Sequence, residues 1–142
     1  MTVKPELIEY IRTFVRDDVE VNDRLEEQLD RDGWENYALF LNAVFFLAID
    51  LYFDGRRDDG AAIQFVADMR AQTDVGGGEI DPIVAEKMIL SVFDPDIALD
   101  TSPAMVGRIQ THAIYKALTE KEISDKDLDT LLQEAAQVAS SG

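Results

Sequence analysis

The sequence has no cysteine, which excludes disulfides, a thiolate nucleophile and every zinc site with a cysteine ligand. Glycine and proline are scarce, at 8 and 4 of 142 residues, while 46% of the residues are hydrophobic. This composition excludes disordered and low-complexity chains. Basic residues are also few: 13 Lys and Arg against 29 Asp and Glu give a net charge of −16. That charge argues against direct binding to nucleic acid or to an anionic membrane.

A long apolar run is absent as well. The longest unbroken one covers only residues 43–49, whereas a membrane-spanning helix needs roughly 20 predominantly apolar residues. The N-terminal residues lack the apolar core of a signal peptide. We therefore predict a soluble, cytoplasmic protein with no membrane partner.

Apolar residues recur at helical spacing along nearly the whole chain, and no convincing alternating strand pattern is present. We predict an all-α fold in which residues 1–142 form a single domain of about six or seven helices. A flexible loop is expected at about 73–80, where three consecutive glycines occur. The chain length is that of one ordinary domain.

The segment 34–53 is predicted to be the central helix, because it is apolar on nearly every side and must be surrounded by other helices. An alternative is that its aromatic residues line a ligand pocket. Its large side chains are Trp34, Tyr37, Phe40, Leu41, Phe45, Phe46, Ile49 and Tyr52.

The helical pattern that precedes it is interrupted once. Its apolar stripe contains Asp18 and Asn22, so we predict a break near Asp17–Asp18 that separates helices of about 5–16 and 19–31. A single long helix with a solvated middle is the alternative.

Four residue pairs carry the side chains that begin helices, either as an N-cap followed by proline or as a capping box. The last helix has one apolar stripe, formed by Leu128, Leu131, Leu132, Ala135, Val138 and Ala139. The four pairs are Asp32 with Glu35, Asp81 with Pro82, Ser102 with Pro103, and Ser124 with Asp127.

Residues 17–35 are the most acidic part of the chain, with nine acidic and two basic side chains. Such a run is typical either of a solvated helix face or of a surface that recognises a basic partner. The candidate partner-binding residues are Glu26, Glu27 and Asp30.

Two acidic pairs could hold Mg²⁺. Glu27 and Asp30 are three residues apart, and Asp50 and Asp54 are four apart, so each pair shares a helix face. Pairs of this general kind resemble those of all-helical nucleotide pyrophosphohydrolases. The resemblance is limited, because that family has more glutamates in its first motif and a Glu where this chain has Asp50.

His112 is the only histidine, and no nucleophile or acid is visible beside it, so we interpret it as a packed or partly exposed side chain. We predict no catalytic residue, no cofactor and no bound metal. The favoured function is a non-enzymatic interaction or regulatory module whose partner is another protein, in particular a basic one. The alternatives are an acidic inhibitor of the antitoxin or immunity type that mimics nucleic acid, and the Mg²⁺-dependent hydrolase.

Raising salt from low to physiological strength is expected to raise the melting temperature. Folding compacts a chain of net charge −16 into a molecule only a few Debye lengths across, at about 8 Å each, so like charges repel. Thermal unfolding followed by circular dichroism in NaCl and in KCl checks this, and the two salts should act alike. A melting temperature that falls as salt is added contradicts the repulsion argument.

Overall fold

The computed structural model describes residues 2–72 and 80–141, and over these residues it contains seven α-helices and no strand. This confirms the predicted all-α bundle. The helices are α1 (Pro5–Val15), α2 (Val19–Asp32), α3 (Tyr37–Tyr52), α4 (Asp59–Gln72), α5 (Pro82–Ser91), α6 (Pro103–Glu120) and α7 (Asp125–Ser141).

The break between α1 and α2 lies where the sequence predicts it. Asp17 has a positive φ of 58°, and the amide of Asp18 donates to the carbonyl of Thr13 at 2.9 Å. The polar residue in the apolar stripe has a structural use, because the side-chain amide of Asn22 donates to the carbonyl of Tyr10 at 2.8 Å. This bond ties α2 back onto α1.

The predicted capping box of Asp32 and Glu35 is wrong. Asp32 belongs to the last turn of α2, and α3 begins only at Tyr37, after Asn36 in the left-handed region. Glu35 accepts a hydrogen bond from the ammonium of Lys4 at 2.6 Å, and this lowers the pKa of Glu35. A contact with a residue far away in the sequence has replaced the local cap.

The other three helix starts are confirmed. Asp81 accepts from the amide of Ile83 at 2.9 Å, and the hydroxyls of Ser102 and Ser124 accept from amides three residues later at 3.2 and 3.1 Å. Each side chain satisfies an amide that the first helical turn leaves without a partner.

Helix α6 lies along α3, and this is the most extensive helix contact in the described chain. The two helices run parallel, because Asn42 contacts Gln110 and Tyr52 contacts Glu120. Only four residues separate α6 from α7, so α7 returns antiparallel and packs on α3. The buried apolar side chains of all seven helices form one continuous core.

Helix α3 is central, as predicted, but it is not covered on every side. Phe40, Leu41, Phe45 and Ile49 are buried, whereas Phe46, expected in the core, is 48% exposed. Leu39, two turns earlier on the same stripe, is also 48% exposed. The all-round apolar pattern therefore overstates how much of this helix the rest of the chain covers.

Helices α4 and α5 pack on each other, and α4 also contacts α6. The predicted loop at about 73–80 falls mostly on residues 73–79, which lie outside the described residues. Ile80, the last residue of that predicted loop, is fully buried. Over the described ranges, none of the helices combines the length and the apolar character needed to cross a membrane.

Helix α7 docks through most of its predicted stripe. Leu128, Leu132 and Ala135 are at most 1% exposed, whereas Val138 is 55% exposed and lies outside the core. Leu131 is also buried, at 7% exposure.

Leu132→Ala is expected to lower the free energy of unfolding by about 2–4 kcal/mol, because it removes a fully buried side chain and leaves a cavity. Val138→Ala is the matched control on the same helix and should change it by less than about 0.5 kcal/mol. Urea denaturation measures both. Equal effects of the two substitutions would show that α7 is not docked as described.

Candidate functional site

The exposed surface of α2 is acidic. We define the α2 acidic surface as Asp23, Glu26, Glu27 and Asp30, all of which are exposed. Leu29 is the only fully buried residue of this helix. Within the described part of the chain, none of the four carboxylates forms an ion pair, although Asp30 accepts a hydrogen bond from the indole of Trp34 at 2.7 Å. The three predicted partner-binding residues therefore share one exposed helix.

A cluster of three aromatic rings, Tyr10, Trp34 and Tyr37, lies next to the α2 acidic surface. The ring of Trp34 lies edge-on at 5.1 Å from both Tyr10 and Tyr37. Burial, followed by the charges of Glu26, Asp30 and Asp23, raises the pKa of Tyr10. These three exposed carboxylates therefore lie on the flank of α2 next to α1, close enough to act on the Tyr10 hydroxyl. The rings contact one another, so they are packed as core and leave no aromatic cage between them.

A second acidic region is a groove between the C-terminal end of α3 and the beginning of α7. This α3–α7 groove has a volume of about 530 Å³. Its floor consists of Leu47, Leu51, Ile123 and Leu131, and its rim carries Asp50, Glu122, Asp127 and Glu134. Lys121 also lines it, and its ammonium lies 3.7 Å from Asp54 just beyond the groove.

The groove was not predicted from the sequence, which offered Asp50 only as a candidate metal ligand and placed Phe46 in the core. A signal was present: Asn42 and Asp50 lie eight residues apart, so they share one side of α3 with Phe46. Two polar residues aligned in this way indicate the side of an apolar helix that meets solvent.

The four candidate metal ligands are not brought together. Glu27 and Asp30 lie on α2, whereas Asp50 lines the groove and Asp54 follows α3. Over residues 2–72 and 80–141, no three Asp, Glu or His side chains are grouped so that they could hold a metal ion. The hydrolase hypothesis therefore has no acidic centre in the described residues.

His112 lies beside a different cavity, of about 380 Å³, which Phe14, Asp17 and Tyr115 also line. Burial, together with the charge of Arg108, lowers the pKa of His112. The hydroxyl of Tyr115 donates to Asp17 at 2.8 Å, and this bond raises the pKa of Tyr115. Thr111 donates to the carbonyl of Gly107 at 2.8 Å. Within the described residues, neither hydroxyl is hydrogen-bonded to the imidazole, so neither forms a nucleophile–base pair with His112.

The buried Lys116 is also accounted for. Its side chain is 4% exposed and pairs with Glu120, and its ammonium lies 5.2 Å from the centre of the Phe65 ring. Tyr52 donates to the same carboxylate at 3.0 Å. Burial and this hydrogen bond raise the pKa of Tyr52 to about 12. Because the lysine is paired on both sides, it is a structural contact between α3, α4 and α6.

Among the described residues, no buried side-chain nitrogen or oxygen lacks a hydrogen-bond partner. The interior therefore contains no side chain that needs a ligand to complete its bonding. Comparison with protein-family models, curated proteins and solved structures finds no match to this chain.

Millimolar Mg²⁺ or Mn²⁺ is expected to leave the melting temperature nearly unchanged, because the two carboxylate pairs lie on separate elements and do not converge. Thermal unfolding with and without each ion measures this. A saturable rise that Asp50→Asn abolishes would contradict it and would restore the hydrolase hypothesis.

Proposed function

We propose that the protein is a non-enzymatic protein-binding module whose partner is a basic protein. The observation that carries this proposal is the α2 acidic surface, where exposed carboxylates form no ion pair within the described residues, on a helix that contributes one fully buried residue to the core. Unpaired charge on an exposed helix surface attracts an oppositely charged protein and speeds its association.

The spacing of these charges supports a basic protein as partner more than it supports mimicry of nucleic acid. Asp23, Glu26 and Asp30 face one side and lie within eight residues of helix, a rise of about 10 Å. This gives one charge for about every 5 Å of the helix axis, whereas DNA carries one for about every 1.7 Å of its axis when both strands are counted. An inhibitor that imitates duplex DNA needs a higher charge density than this side of α2 provides.

The test compares two variants of equal net charge, both −13, as affinity ligands for a native cell lysate. The first is Glu26→Gln, Glu27→Gln and Asp30→Asn on the α2 acidic surface. The second is Glu86→Gln, Asp96→Asn and Asp100→Asn, which removes three acids from α5 and the loop after it. We expect the unaltered protein and the second variant to capture the same basic proteins, and the first variant to lose them.

Capture is identified by mass spectrometry and repeated at rising salt, which should release the captured proteins. Equal loss in both variants would mean that only the total charge matters and would contradict a specific partner. Capture of proteins that are not basic would also contradict the proposal.

A further inference from the structure

The α3–α7 groove has two properties that the α2 acidic surface lacks. It has an apolar floor, and it is a concave space between two helices. Leu51 is 41% exposed, while Leu131 and Ile123 are nearly covered, at 7% and 8%. The apolar lining of the groove is therefore incompletely packed, because Leu51 remains exposed next to two buried side chains.

Further exposed apolar residues lie on the same two helices, outside the lining of the groove. On α3, the exposed Leu39 and Phe46 share a stripe with Asp50, whereas Leu51 lies about 120° round the helix from Leu39. Along the axis of α3, the exposed apolar residues from Leu39 to Leu51 span about 18 Å. On α7, which runs the opposite way, the exposed Val138 lies two turns after Leu131. This length is that of about three turns of helix.

The charge of the rim determines which kind of molecule can bind in the groove. Asp50, Asp127 and Glu134 form no ion pair within the described residues, and the only cation in the groove, Lys121, lies against Asp54. A second copy of the chain would bring another net charge of −16 and another carboxylate rim against this one. Like charges that face each other oppose such a dimer, whereas a cationic partner would pair with the rim.

The groove walls also determine the shape of that partner. The two long walls are helices whose backbone groups are bonded internally, and the connection of residues 121–124 lines one end, so recognition along the walls depends on side chains. A helix fits such a surface by placing residues i, i+3 or i+4 and i+7 on the floor. Lysine or arginine on its flanks would then reach Asp50, Asp127 and Glu134 on the rim.

We propose that the α3–α7 groove binds a cationic amphipathic helix of the partner protein. This inference rests on the proposed function and assigns it a second surface. The α2 acidic surface attracts the partner over long range, and the groove holds it through apolar contacts and rim ion pairs. The two surfaces therefore affect different rate constants.

The probe is a synthetic, labelled peptide of about 14 residues, about 21 Å as a helix, with leucines at i, i+3, i+7 and lysines elsewhere. A peptide of the same composition with its leucines scrambled is the control. Stopped-flow anisotropy gives the association and dissociation rates. We expect the patterned peptide to bind about tenfold more tightly than the scrambled one, a difference of about 1.4 kcal/mol.

Two matched pairs of variants locate the site. Leu51→Asn should raise the dissociation rate about tenfold, which corresponds to about 1.4 kcal/mol. Ile63→Asn, which changes a 54% exposed residue on α4, should not change the dissociation rate.

The rim variant Asp50→Asn, Asp127→Asn and Glu134→Gln should also raise the dissociation rate. The α2 variant Glu26→Gln, Glu27→Gln and Asp30→Asn leaves the same net charge and should mainly slow association.

Equal binding of the two peptides, or equal effects of Leu51→Asn and Ile63→Asn, would overturn the groove as the binding site. So would a concentration-dependent dimer that Leu51→Asn dissociates, because a second copy would then be the occupant. If the lysate experiment succeeds while the rim variant keeps its full capture, the groove is wrong and the proposed function stands. If the unaltered protein captures no basic protein, the proposed function itself fails.

Discussion

The packing of α6 along α3 is the contact on which the other helices depend. Helix α7 packs on α3, α1 contacts both α6 and α7, and α4 contacts α6, whereas α2 packs mainly on α1. A hydrogen bond of 3.0 Å from Gln110 to Asn42 fixes the register of the pair. Since Gln110 is 4% exposed, sliding the helices by one turn would leave a buried amide unpaired, at a cost of about 1–3 kcal/mol. Ala113 and Ala117, both fully buried, contribute small side chains to the same part of α6.

Several basic residues join elements of the fold, and this contributes to the negative charge of other surfaces. Arg12 and Arg16 of α1 pair with Asp129 and Asp125 at the beginning of α7. Arg57 similarly joins Asp94 to the turn before α4. With 13 cations for 29 acids, these structural pairs leave few cations for the α2 acidic surface and the α3–α7 groove. The acidity of both surfaces therefore depends on which carboxylates the cations pair with, as well as on the composition.

Features that depend on neighbours in the sequence were predictable, and those that depend on distant contacts were not. The caps at Asp81, Ser102 and Ser124 act within three residues, so the local pattern specifies them. Glu35 was assigned to the wrong partner because its cation, Lys4, is 31 residues away.

The same limit applies to the site. The exposure of the α2 acids follows from the polar pattern of their own helix, whereas the groove exists only because α7 returns beside α3. An apolar pattern that continues round α3 does not indicate which side a later helix leaves open, so Phe46 and Val138 were both expected to be buried. The alignment of Asn42 with Asp50 was the one local indication of the open side.

The single buried anchor of α2 has an evolutionary consequence. Substitutions at exposed helix positions usually change the stability of a fold by no more than about 0.5 kcal/mol, and α2 contributes only Leu29 to the buried set. Its outer residues are therefore free to vary almost independently of the core, whereas α3 and α6 are constrained by the residues they bury together. Over generations, the charge pattern of this one helix can diverge without loss of the fold, whereas the residues that α3 and α6 bury together cannot.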